Sequence, residues 1–414
     1  MFTAYRSAFV QRGAMAFCAA GLVSRFYIGI YPLGLLLLLA IPSGQYGKAA
    51  LVSGCWTIGN AVASPASGMF ADRFGQYKTL LISMVAHVAL AVMTISSVAL
   101  DAPILVTLLL ALLLGASIVN TGSMVRVRWA SMWPGHTAER SAAYSVESVL
   151  DEVVFATGPL ITAVVAVQVS PYLAVACALL LTVSGVTWLL FQRRTEPPIR
   201  EAVVRKHRRL AVRCPGMPLL LVAQVAMGAT CGAAEVLLVA RSNELGHPEG
   251  AGIVLACFAI GSGVSGILYG SRHWTAPTSL RFALSASAFG LLPALYLAAN
   301  SLTALMTCSL INGLTMAPTI INAYQLVDEF VPAPMQTEGF NWFGASLSLG
   351  FGGGTAAVGK IADAIGARPT FVVPVVCAFL ASTVACLLHM RVAASSTRSV
   401  ASSRAARRVT AQSS

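Results

Sequence analysis

Arg25 lies about eleven residues into an apolar run, and that placement gives it a chemistry that a surface arginine lacks. At helical rise this is roughly 16 Å from the start of the run, too deep for easy escape to an interface. A guanidinium there must pair, face a polar interior, or handle a charged substrate or a proton. Three carboxylates further along the chain are natural partners. Glu147 and Asp151 are four apart and share a helix face, whereas Glu152 points roughly 100° away. Glu147, near the start of its run, can also meet Arg126 or Arg128. Asp151 and Glu152 lie one turn deeper, where a carboxyl can exchange protons, although a nearby Arg25 favours the ionised form. Two readings stay open: a fixed ion pair that locks helices, and a site where a proton binds and leaves. Glu235 stands nearly alone in a later apolar run. It is either a second protonatable site or an interfacial acid beside Arg241.

Uncharged polar residues add a second constellation. Asn120, Thr121, Gln224, Asn312, Asn322, Gln325, Asn341 and Trp342 fall within or at the ends of apolar runs. As a set they mark candidate substrate contacts in a central cavity. Singly, each can equally serve as a hydrogen-bonding link between helices.

The segments that must position these groups are helices crossing a bilayer. Of the 414 residues, 57% are apolar and 10% charged, against roughly 25% charged in a soluble domain. Apolar runs of 18 to 25 residues recur along the chain, each sufficient for a hydrocarbon core of about 30 Å. Backbone groups in lipid must bond within the segment, so the runs are helices. A barrel would show alternating segments of roughly ten residues, and none is seen. The net charge of +12 does not point to nucleic acid, because its basic residues collect in loops on one side of the membrane. The nine cysteines show no Cys-x-x-Cys spacing, so they read as small buried residues, with no disulfide framework and no metal site.

Between the second and third runs stands Gly68-Met69-Phe70-Ala71-Asp72-Arg73-Phe74-Gly75-Gln76-Tyr77-Lys78. Glycines let a helix end and turn tightly against a neighbour, while Asp72, Arg73 and Lys78 can meet charges or helix ends. This Gly-x-x-x-Asp-Arg-x-Gly-x-x-Lys spacing resembles the motif of the major facilitator superfamily. Gly68, Asp72, Arg73, Gly75 and Lys78, with Arg126 and Arg128, are then the expected conformational-switch loop. In the corresponding loop of the second half only Gly266 and Arg272 persist, and Gly270 stands where Asp72 would fall.

The runs divide into two sets of six. Residues 1–191 form a first bundle, 192–213 a basic linker, 214–390 a second bundle, and 391–414 a Ser/Ala/Arg-rich tail expected to be disordered. The fourth run is expected to cover about 104–125, and the fifth to begin near Ser141. With both termini placed in the cytoplasm, 22 of the 27 Lys and Arg fall on that side, four on the other, and Arg25 within the membrane. The loop before the fifth run carries Pro134, Thr137 and Glu139; that before the eleventh carries Pro334, Thr337 and Glu338. This echo supports two related halves.

The resemblance implies an all-α membrane protein of twelve transmembrane helices in two pseudo-symmetric bundles around a cavity that opens alternately to each face. It implies a secondary transporter in the cell membrane, acting as a monomer on a small molecule, with a proton gradient and no cofactor as its energy source. Proton-coupled export is the first expectation; uptake and a non-transporting receptor are the alternatives. The exporter motif around Gly158-Pro159 is only partly kept, since Thr162 and Ala163 replace paired glycines. Ala111 stands where many exporters carry an arginine. Coupling is therefore expected at Arg25, Asp151, Glu152 or Glu235. No nucleophile–base or metal constellation suggests an enzyme. Gly261-Ser262-Gly263-Val264-Ser265-Gly266 mimics a dinucleotide fingerprint but follows no strand, and reads as close helix packing. Gly350 to Gly354 reads as a thin face on which the two halves could rock.

Overall fold

A backbone in hydrocarbon has no water to bond, so the apolar runs satisfy themselves as helices. The computed structural model describes residues 9–43, 46–198, 210–247, 250–272 and 274–412. The first half comprises α1 (Ala14–Ser43), α2 (Tyr46–Phe74), α3 (Gln76–Ala99), α4 (Ile104–Ser117), α5 (Thr121–Met132), α6 (Thr137–Gln168) and α7 (Pro171–Phe191). The second comprises α8 (Met217–Glu244), α9 (Ala251–Gly270), α10 (Thr278–Leu291), α11 (Leu295–Ala298), α12 (Leu302–Phe330), α13 (Gln336–Ile365), α14 (Ala367–Thr370) and α15 (Val372–Gln412). Pairs α4/α5, α10/α11 and α14/α15 each complete one crossing, giving six crossings in each half. The described residues contain no strand.

Three local expectations change. The fourth run is broken: Ile118 and Asn120 are extended, and the Asn120 side chain accepts a hydrogen bond from the Ser123 N–H at 3.2 Å to start a new helix. Apolarity alone cannot reveal such a break, because a short polar side chain supplies the cap. The fifth run begins at Thr137, four residues earlier than expected. The tail, expected to be disordered, continues α15 as helix to Gln412. Alanine and arginine are good helix formers, and an existing helix supplies the nucleus. The linker's Arg200, Arg205, Lys206, Arg208 and Arg209, and Arg6 before α1, lie outside the described residues.

By length and composition, ten described segments can cross a membrane; α2 and α13 are long enough but richer in glycine and polar residues. These two pack against each other across the halves. Small residues are what such an interface requires in lipid, where close backbone approach replaces the hydrophobic drive. The core is divided in a telling way. One apolar cluster, around Trp129, Tyr144, Phe340 and Phe343, spans both halves at the end bearing the α2–α3 turn, the motif face. Two others belong to single halves: one around Tyr31 and Trp56, the other around Leu237 and Phe371. The Gly350–Gly354 face behaves differently from expectation. A Cβ on Gly350 or Gly354 would lie 2.0 or 2.1 Å from a carbonyl of α8, so these glycines serve packing within the second half.

Candidate functional site

The four charges of Arg25, Arg126, Glu147 and Asp151 converge from α1, α5 and α6. Arg25 pairs with Glu147 and, at 2.6 Å, with Asp151. Asp151 uses its other oxygen to accept from Arg126, also at 2.6 Å. Glu147 is saturated further by the Trp129 indole N–H at 2.9 Å and by the Cys18 thiol at 3.3 Å. The Arg25 Nε–H donates to the Gly21 carbonyl at 3.0 Å. Two cations and two anions balance, which is how charges are tolerated away from water. The α4–α5 break contributes here, since the restarted helix carries Arg126 and Trp129 to the acids of α6. Accessibility separates the two carboxylates: the Glu147 side chain is 0% exposed, that of Asp151 24%.

Glu152, next in sequence, points to the other half. It accepts from the Ser262 hydroxyl of α9 at 2.8 Å. Cys231 of α8 lies close enough to feel the charges of both Glu152 and Glu235. Glu235 itself is exposed, and Arg241 pairs with Glu244 at 2.9 Å instead.

The motif face is sealed by contacts between the halves. Asp72 accepts from the backbone N–H groups of Thr337 and Glu338 at 3.1 and 2.9 Å, capping the start of α13 with a negative charge. Gly68 allows this approach: a Cβ there would sit 2.7 Å from the Thr337 carbonyl. Gly75, at φ +88°, makes the turn into α3. Asn341 donates to the Ser64 carbonyl at 2.6 Å. Arg140 of α6 pairs with Asp328 of α12. Arg73 and Lys78 are exposed, and neither has an ion pair among the described residues; Arg73 lies beside the Phe74 ring. Arg128 does not join the acids. It donates to Gln76 at 2.8 Å and Thr195 at 2.9 Å, fastening the motif turn to the segment after α7. Glu338 in turn accepts from the Ala211 N–H at 3.0 Å, and burial together with its charge pushes the nearby Cys214 thiol up from its ordinary pKa.

The uncharged polar set is dispersed. Asn312 donates to Tyr296, Asn322 bonds Tyr269 and the Pro318 carbonyl, and Gln325 accepts from Arg281, all within the second half. Thr121 accepts from Ser24, and Trp342 donates to Glu338 within α13. Asn120 caps α5 and reaches toward Gly344 of α13. Gln224 is fully buried, and neither end of its amide has a hydrogen bond among the described residues.

Sequence reasoning passed over Trp129, Arg140, Tyr144, Tyr324 and Asp328. In the sequence Arg140 counts only toward the charge asymmetry of the two faces, and only the crossing of α6 and α12 makes it the partner of Asp328.

Two six-helix halves, sealed at one end around a buried, charge-balanced cluster, define a helical membrane transporter. The chain belongs to the Major Facilitator Superfamily, whose family model matches residues 13–238 and again 219–412. No curated protein sequence matches it significantly. Among solved structures it is similar to a bacterial homologue of the iron transporter ferroportin in an outward-facing state, with TM-score 0.75 and 13% identity, over 91% of this chain and 99% of that one. It is also similar to the human organic anion transporter MFSD10, with TM-score 0.70 and 13% identity over 91% and 100% of the two chains. The E. coli fucose:proton symporter gives TM-score 0.66 and 14% identity over 91% and 99%. At these identities the likeness is one of fold.

Proposed function

We propose that the chain is a proton-coupled secondary transporter that exports a small, partly apolar organic compound by alternating access, its motif face toward the cytoplasm. The observation that carries this reading is Asp151, the one accessible acid in an otherwise closed charge cluster. Protonating it leaves Arg25 and Arg126 with Glu147 alone. An uncompensated buried cation costs several kcal/mol, and the cost is relieved if the motif face opens and water reaches the cluster. A proton taken from the far face therefore favours opening toward the cytoplasm, where it can leave. One proton crossing is worth about 2.3 kcal/mol per 100 mV and about 1.4 kcal/mol per pH unit, enough for a substrate gradient on the order of a few hundredfold when both act. Glu152 and Glu235 are second acids on the same route, suited to a relayed proton or a cationic substrate group. The 22 basic residues on the motif-face side of the predicted topology support its orientation.

Uptake is the competing reading, favoured by the likeness in fold to a fucose:proton symporter. Inside-out vesicles with an imposed pH gradient, screened with labelled organic compounds, separate the two by the direction of accumulation. Asp151→Asn, normally expressed, is expected to lose proton-driven transport at least tenfold. Undiminished proton-driven transport in Asp151→Asn and in the Asp151/Glu152/Glu235 triple neutralisation would overturn the assignment of the proton step.

A further inference from the structure

The charge cluster belongs to the first half, yet it must act on a seal made by both halves. One of its members touches the second half. The Arg126 guanidinium lies 3.9 Å above the centroid of the Tyr324 ring of α12, while its Nη2 holds Asp151. Tyr324 is 9% exposed. Its ring packs on Phe343 at 4.5 Å, on Phe340 at 5.9 Å and on Tyr144 at 6.4 Å, centroid to centroid. Phe340 and Phe343 stand on α13 and Tyr144 on α6, so this ring is where the cluster meets the aromatic plug of the motif face. A cation over an aromatic face away from water is attracted by the negative face of the ring, and the strength of that attraction depends on where the guanidinium is aimed. Here Asp151 does the aiming.

We infer that Tyr324 is the positioning residue that transmits the charge state of Asp151 to the motif-face seal, through the guanidinium of Arg126. With Asp151 ionised, Arg126 is drawn over the ring and the plug stays closed. With Asp151 neutral, Arg126 loses the partner that fixes it, leaves the ring for water, and the plug loosens. Asp151 contacts Arg25 of α1 and Arg126 of α5, and the other titratable groups near enough to feel its charge are Cys18 and Tyr27 of α1, Tyr324 of α12 and Glu152 of its own helix, with Glu147 one turn away on the same face. Of these, Tyr324 alone belongs to the second half. The inference rests on Asp151 as the titrating acid for its natural trigger, but the link from Asp151 to Tyr324 can be tested without a proton.

The test is a mutant cycle read as a distance. Spin labels at His136→Cys and Ala333→Cys, in the α5–α6 and α12–α13 connections, straddle the motif face in reconstituted, otherwise cysteine-free protein. Asp151→Asn is expected to move the label–label distribution to longer distances. In a Tyr324→Phe background, which keeps the ring, the same shift is expected in full; in Tyr324→Leu it should fall by at least half. Equal shifts in the Leu and Phe backgrounds, or no shift from Asp151→Asn, overturn the inference. A pH titration of the native distances tests the proton reading separately. If it is flat while the cycle remains non-additive, the coupling through Tyr324 stands and the proton assignment falls.

Discussion

At the scale of single residues, the cluster behaves as a balanced unit whose members cannot be removed singly. Arg25 is 1% exposed and bonded on all sides. Arg25→Met is expected to destabilise the protein by about 3–5 kcal/mol, because it leaves Glu147 buried without its cation. Thermal unfolding in detergent would check this. The Arg25→Met/Glu147→Gln double variant should recover a substantial part, since the neutral amide no longer demands a countercharge. That Arg25 needs a carboxylate partner is legible in the sequence, as an arginine at that depth has few alternatives. Which carboxylate takes which bond is not legible. Glu147 and Asp151 share a face, and only the position of the Trp129 indole and the Cys18 thiol makes Glu147 the buried one.

At the scale of elements, the motif turn is a capping device across the halves. Asp72 supplies charge to the start of α13, and Gly68 supplies the room. Gly68→Val should force α2 and α13 apart, since its added atoms would fall on the Thr337 backbone. The expected result is a motif face biased toward opening, read as increased alkylation of a cysteine placed at Asn341. The α4–α5 break is a second element-scale device. Asn120→Ala is expected to cost about 1 kcal/mol through the lost cap, and to reduce transport by loosening Arg126. Hydropathy passes smoothly over this break because Ile118 and Val119 are as apolar as their neighbours. The Asn120 cap is visible afterwards as Asn followed by a helix start. Related chemistry appears with donor and acceptor exchanged between the halves: Gln76 of α3 accepts from Arg128 of α5, whereas Arg281 of α10 donates to Gln325 of α12.

At the scale of the whole molecule, the shared core at the motif face and the separate cores beyond it describe a seal at one end. In a cysteine-free background, Ser348→Cys, an exposed position on α13, is expected to react with a membrane-impermeant maleimide from the far face. Asn341→Cys, buried in the seal about two turns away, should resist it from either face in this state. Equal reactivity at the two positions would contradict the placement of the seal.

The order of apolar runs and the placing of basic residues between them already imply twelve crossings in two sets of six, because a backbone in lipid has one local solution and a charge there has few. Length and composition alone support ten among the described residues. The motif, too, is readable, since its residues stand at fixed short spacings along the chain, although the surface that Asp72 and Gly68 act on, the start of α13, is not. What tertiary structure alone decides is which partners meet. The pairing of Arg140 with Asp328, the bond from Glu152 to Ser262 and the seat of Arg126 on Tyr324 join residues far apart in sequence. Each depends on the rotation and depth of two packed helices, which the pattern of a single helix does not contain.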